Sequence, residues 1–346
     1  MFKGSTASED LTQVVRALRG VAEPTRLRLL VLLSHGEYTV GELCEILGQS
    51  QPRISRHLRL LTEAGFLDRF REEQCVYYRV PVAGRFLSWS RLFLSMLEPD
   101  GAVLRRDSQR AEQVVRARAA TAAQALSAGL SAAEAAAGAS PAEAASGELA
   151  AVLREELGPS SVNELLDVGT GSGAMLQVLA PLAGHAMGID ISAPALRLAR
   201  TRLYGAGLTH CEFRRGDMYR LPVEDDSVDL ISLDRVLTLA DDPQAALREA
   251  ARALRPDGRL LAVEDFEQLE SHARANPLTQ LRQWLRAAGL TEIRLRPCDI
   301  VGRHLIVALA RHGSQPAAED LTTLPQIASV FPRHATPQPY DTNSIA

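Results

Sequence analysis

The chain has 346 residues and is 46% hydrophobic, enough to bury a large core in two domains. Its net charge is −4, so bulk charge does not point to nucleic acid, and a local basic patch must carry any such reading. Four scattered cysteines (Cys44, Cys75, Cys211, Cys298) without a Cys-x-x-Cys pair argue against a zinc ribbon or disulfide scaffold, and the sequence has neither a signal pattern nor an apolar run of membrane-spanning length, which fits a cytoplasmic protein.

Residues 1–9 are polar, and a first domain is expected over 10–99. Its helix from Pro24 to Leu33 places Leu27, Leu30 and Val31 on one stripe. "YTVGELCEILG" predicts a helix that starts at Thr39 or Val40, buries Leu43, Ile46 and Leu47, and ends at Gly48. Ser50 is a candidate cap for the next helix, whose first turn tolerates Pro52. There Ile54, Leu58 and Leu61 point inward, while Gln51, Arg53, Ser55, Arg56 and Arg59 form a polar face, with His57 beside them. A short helix, a tight turn and a second helix with an arginine-rich face is the helix-turn-helix arrangement, and its second helix fits the major groove. Residues 46–71 carry five arginines against two acids, so the basic patch is local. "FLDRFREEQCVYYRVP" alternates and predicts a two-stranded wing, where Arg69, Arg71 and Arg79 are candidates for phosphate contacts.

Residues 100–158 are alanine-dominated, with no Phe, Tyr or Trp between Phe93 and Tyr204. They predict a helical connector broken at Gly129, Gly138, Pro141 and Gly147. Over 159–312, apolar strand runs alternate with amphipathic helices, the pattern of a Rossmann-like, doubly wound α/β sheet. Residues 313–346 are rich in Pro, Thr and Ser and are expected to be disordered.

In the α/β region, "NELLDVGTGSG" runs a strand into Asp167 and then Gly169, Gly171 and Gly173, which permit a tight turn and close approach of a ligand. Such a loop alone does not separate one nucleotide-like cofactor from another. "HAMGIDIS" ends a second strand at Asp190, followed by Ile191, about where a carboxylate meets ribose hydroxyls. Asp217 and Met218 end a third strand, and Asp234 a fourth. Ligands in such sheets sit at these strand ends.

The pieces "AEPTRLRLLVLL", "GELCEILGQSQPRISRHLRLLTEAGFL" and "VYYRV" resemble the arsenical-repressor (ArsR) family of winged helix-turn-helix regulators over about the first hundred residues. That resemblance implies a homodimer, formed by the first helix and the helix after the wing, bound to a double-stranded DNA operator. It also implies a DNA-binding set of Ser50, Gln51, Arg53, Ser55, Arg56, His57, Arg59, Arg69 and Arg71. Family members that sense metals use paired cysteines; Cys44 in "ELCEIL" stands alone, so no metal site is expected.

Residues 160–311 resemble the class I S-adenosylmethionine-dependent methyltransferases, through four landmarks in the family's order. By that resemblance the cofactor, S-adenosylmethionine or S-adenosylhomocysteine, is bound by Asp167, Gly169, Gly171 and Gly173, by Asp190 and Ile191 on the ribose side, and by Asp217 and Met218 at the adenine. A nicotinamide-dependent oxidoreductase leaves "GDMYRLP" and "LRPDGRLL" without a role. The acceptor side departs from the family. The segment before the first strand lacks aromatics, and "LDRVLTL" replaces a histidine-bearing run, leaving Asp234 and Arg235 as the catalytic candidates. Glu264 and His272 are candidates for a base. Two functions remain open: a cofactor-responsive regulator, and a small-molecule methyltransferase with an autoregulatory DNA-binding domain.

Overall fold

A computed structural model describes residues 11–72, 74–82, 84–98, 101–129, 146–158, 162–272, 276–300 and 302–313. The expectations for Gly138, Pro141 and the tail beyond 313 lie outside these residues.

The N-terminal module opens with α1 (Leu11–Val21) and α2 (Pro24–Ser34). Glu23 caps α2 by accepting from the Arg26 amide, and Pro24 sits in its first turn, where a missing N–H costs nothing. Strand β1 (Tyr38–Thr39) leads into α3 (Val40–Leu47). Thr39 and Glu42 close a reciprocal capping box at its start. Gly48 ends it in the left-handed region (φ 64°), as its sequence predicts. Helix α4 (Gln51–Glu63) follows. Leu29, Leu30, Leu43, Ile46, Ile54, Leu58, Leu61 and Phe66 form its core with α2 and α3. Strands β2 (Asp68–Glu72) and β3 (Cys75–Arg79) make the wing, and β1 pairs with β3 to complete a three-stranded sheet. Helix α5 (Arg85–Ser95) closes the module.

Within the alanine-rich segment, residues 102–129 form one helix of 28 residues, α6 (Ala102–Gly129). It packs on α2 and α3. Asp107, buried on α6, takes a two-pronged ion pair from Arg28 at 2.6 and 2.7 Å. Arg118, on the same helix, donates to Glu42 and to the Glu37 carbonyl.

The C-terminal module starts at α7 (Ser146–Leu157), then β4 (Val162–Val168), α8 (Ala174–Leu179), β5 (Ala183–Asp190), α9 (Ala193–Gly205), β6 (Cys211–Arg215), β7 (Val228–Asp234) and α10 (Pro243–Ala253). The chain continues through β8 (Leu254–Asp265), α11 (Phe266–His272), α12 (Pro277–Ala287), β9 (Leu290–Ile300) and β10 (Arg303–His312). The strands form one seven-stranded sheet in the order β6-β5-β4-β7-β8-β10-β9. Pairs from β6 to β8 are parallel, while β10 runs antiparallel to both β8 and β9. Two apolar clusters cover the two faces, as a doubly wound sheet requires. Chain order reverses at β4, between β5 and β7, which puts the ligand crevice over the carboxyl ends of these strands.

A candidate cofactor site, a DNA-reading face and the seam between them

The glycine-rich loop follows β4 at that reversal. Gly169 has φ 69°, and a Cβ there would stand 2.5 Å from Val236 Cγ2, so only glycine fits. Gly173 (φ 80°) begins α8, and a Cβ there would strike Leu203 on α9. At Gly171 (φ 53°) a Cβ would meet nothing nearer than a carbonyl 4.0 Å away, which leaves the loop open to a ligand.

Asp190, at the end of β5, ties this loop down. One carboxylate oxygen accepts from the Gly171 amide at 2.8 Å and the other from the Ser192 amide at 2.7 Å. The Gly216 amide donates to the Asp190 carbonyl, which brings the Asp217 turn alongside. Asp217 is exposed and accepts from the Tyr219 amide; Met218 is half-buried against the core. Ile191 is 66% exposed, an apolar side chain left at the mouth of the crevice. A carboxylate at the strand end, an open glycine backbone and two apolar groups beside an exposed aspartate fit an adenosyl cofactor. Asp167 lies deeper, accepts from Ser232 Oγ at 2.7 Å, and is pushed up to about 7 by burial.

Across the crevice, Asp234 ends β7 and pairs with Arg235, the next residue, at 3.7 Å. Arg235 holds φ 57°, and its backbone N–H donates to the Val263 carbonyl at 2.8 Å. Glu264 is fully buried; it accepts from the Leu237 amide and the Thr238 hydroxyl, and burial pushes its carboxyl up to about 8. It therefore braces the β7–β8 ends and is not presented as a base to an acceptor. The His272 side chain lies outside the described residues.

On α4, Gln51, Arg53, Arg56 and Arg59 are exposed on one face, and Ser55 is half-buried beside them. Ser50 occupies the N-cap position without a side-chain capping bond. Pro52 removes one of the two amides such a cap would reach, so the hydroxyl makes no bond to the helix start. His57 turns away, 3.6 Å from Glu23 and only 12% exposed. Burial holds its imidazole below the usual range, and the neighbouring Arg26, Arg53 and Arg56 push the same way, so it adds no charge to that face.

The wing shows two faces with different partners. Arg69 and Arg71 are exposed on the outer one. Arg79, expected among the phosphate contacts, is instead buried. Strand alternation explains the difference: Phe70 and Glu72 on β2, with Tyr77 and Arg79 on β3, share the face that the C-terminal module covers. There Arg200, on α9 and 0% exposed, donates to Glu37 at 2.7 Å and to Glu72 at 2.5 and 3.2 Å. Its guanidinium lies 4.5 Å from the Tyr77 ring centre. Arg79 pairs with Glu37 and with Glu212 on β6, and Arg214 stacks 4.1 Å from Phe70. Three arginines thus meet Glu37, Glu72 and Glu212 in a buried interface. Burial opposes the charge of Glu212, yet His185, Arg79 and Arg214 hold it down at about 2. Each buried carboxylate faces at least one arginine, which is what makes their burial tolerable.

Residues 23–69 match the family model described as "Bacterial regulatory protein, arsR family", and residues 166–262 match the model described as "Methyltransferase domain". This chain joins an arsR-type helix-turn-helix to a methyltransferase domain. An uncharacterised 37.1 kDa protein of a Streptomyces fradiae transposon is 39% identical over 34% of this chain and 35% of its own length. A demethylmenaquinone methyltransferase of Clavibacter sepedonicus is 28% identical over 53% of the chain and 80% of its own. An arsenite methyltransferase of Aquipseudomonas alcaligenes is 38% identical over 28% of the chain and 31% of its own. The seam described above therefore lies between the wing of the helix-turn-helix and the methyltransferase domain. Among the described residues no helix is long and apolar enough to cross a membrane, and no group of three or more His, Cys, Asp or Glu is arranged to hold a metal ion.

Proposed function

We propose that the chain is a DNA-binding regulator whose methyltransferase domain binds S-adenosylmethionine or S-adenosylhomocysteine and whose DNA affinity responds to it. One observation carries this reading: α9 starts just after Asp190 and places Arg200 in the buried ion cluster of the wing. A cofactor that reorders the Asp190 turn acts on the base of the helix that grips the DNA-reading module. The cofactor set is Asp167, Gly169, Gly171, Gly173, Asp190, Ile191, Asp217 and Met218. The DNA set is Ser50, Gln51, Arg53, Ser55, Arg56, Arg59, Arg69 and Arg71. Exposed Leu11 and Leu18 on α1 and Leu92 and Met96 at α5 support a homodimer through these helices. The test is calorimetry with each cofactor form, with and without a DNA fragment obtained by in vitro selection. Cofactor binding that leaves DNA affinity unchanged defeats the sensor reading.

A second reading, methyl transfer to a small molecule, draws on Arg235, whose positive φ beside Asp234 is strain of the kind that persists at sites. When bound, the cofactor supplies an already activated methyl group; the chain supplies orientation. Cys211 and Cys298 have thiols pushed up by burial to about 12 and about 11, which makes them poor metalloid ligands and favours an organic acceptor over arsenite. Incubation with labelled cofactor and panels of quinols, thiols and amines decides it: no transfer sinks this reading.

A further inference from the structure

Helix α6 packs on both α3 and α9, and its first turns carry basic side chains beside the helix-turn-helix. Two contacts fix where that surface lies. The Arg28–Asp107 pair ties α6 to the first half of α2. One turn on, Arg110 donates to the Ile46 carbonyl at the end of α3, at 3.2 Å. Its guanidinium also stands 3.4 Å from where a Cβ of Gly48 would lie. The start of α6 therefore passes beside the turn that leads into α4, whose first residues expose Gln51, Arg53 and Arg56.

Arg106 lies four residues before Arg110, on the same stripe of the helix, and Arg105 lies next to it. Both are exposed, and among the described residues neither guanidinium has a partner. The acids beside them are already taken: Asp107 by Arg28, and Glu112 by Arg116 at 3.5 Å. A helix face that only meets water tends to pair its charges at i,i+4, as Glu112 and Arg116 do. The Arg105–Arg106 surface does not, and it continues the arginine face of α4. We propose that Arg105 and Arg106 contact DNA phosphates, which extends the interface beyond the helix-turn-helix and the wing onto α6. This rests on the DNA-binding reading above. Phosphate contacts add affinity and salt dependence without reading sequence. They also place part of the DNA grip on the helix that packs against α9, the helix that follows the Asp190 turn.

The test is the DNA affinity of the full chain as a function of salt, on a duplex obtained by in vitro selection and on a scrambled duplex. Three proteins are compared: the parent, the double variant Arg105→Gln/Arg106→Gln, and Arg116→Gln. In the double variant the slope of log affinity against log salt should drop by about 2 per protomer, and affinity at about 0.1 M salt should fall at least about tenfold. The preference for the selected duplex over the scrambled one should stay within about threefold, because no base contact is lost. Arg116 is exposed on the stripe of Arg105, about three turns further along α6, and controls for net charge. Arg116→Gln should leave the slope within about 0.5 of the parent. Neither removed guanidinium has a described partner, so the thermal midpoint and cofactor affinity of the double variant should match the parent. An unchanged slope in the double variant, or the same drop per charge in Arg116→Gln, would overturn the proposal. If Arg56→Ala still weakens binding in that case, the regulatory reading stands without the α6 contacts; a parent that binds neither duplex sinks both.

Discussion

Asp190 ties two backbone segments together and, on the proposed reading, also meets the cofactor ribose. Both its oxygens already accept backbone amides, one from the glycine loop and one from the turn that opens α9. Each oxygen keeps a further lone pair for a ribose hydroxyl. Asp190→Ala should therefore cost at least about tenfold in cofactor affinity by calorimetry, both through the lost ribose contact and through a loosened loop. Glu264 and Asp167 give a pH signature. Burial raises them to about 8 and about 7, so the folded chain binds protons that the unfolded chain releases. The stability they contribute is complete below the ordinary carboxylate range and is lost as pH rises through about 7 and 8. His185, raised by Glu212 and Glu164 despite its burial, pushes the same way. The melting temperature should fall from about pH 5 to about pH 8, and Glu264→Gln should flatten part of that fall. An unchanged pH slope in Glu264→Gln would show that Glu264 is not one of the titrating groups.

At the scale of elements, α4 and α9 are legible in the sequence to different degrees. In α4 the inward stripe of Ile54, Leu58 and Leu61 fixes the phase of the outward arginines, so periodicity alone places Arg53, Arg56 and Arg59. His57 follows the same rotation toward the core side, where Glu23 waits, although the block of basic letters reads as one face. Arg56→Ala should weaken DNA binding without altering cofactor affinity, and if it meets phosphate the slope of log affinity against log salt should drop by about 1. In α9, Leu196, Arg200 and Leu203 share the buried stripe, an arginine at a core position. Its partners, Glu37 and Glu72, lie far upstream, and no local pattern connects them. Arg79 departs from its expected place for the same reason: alternation puts it on the inner face, but nothing local says what covers that face. Arg200→Ala should leave Glu72 buried without its cation and Glu37 with only the longer contact to Arg79, and cost about 3–5 kcal/mol, read as a lower urea midpoint. A change under about 1 kcal/mol would mean that water enters the seam and solvates them.

For the whole molecule, the question is whether the two modules exchange free energy or are only tethered. The sheet order and the winged helix-turn-helix follow from motifs, whereas the reversed strand β10 and the strut-like packing of α6 depend on contacts that sequence does not display. The seam links the Asp190 turn to the wing through buried, directional bonds. Coupling through it requires that the cofactor bind differently to the DNA-bound and free states, and the effect must be reciprocal. Glu72→Gln tests this without touching either ligand site. It keeps the shape of the wing and weakens the two-pronged bond to Arg200. DNA affinity without cofactor, and cofactor affinity without DNA, should each stay within about threefold of the parent, while the ratio of DNA affinities with and without cofactor should move toward one. The ratio of cofactor affinities with and without DNA must shrink by the same factor. If the ratio survives intact in Glu72→Gln, the signal does not pass through the wing clamp, and α6, which packs on α3 and α9 alike, becomes the element to break next.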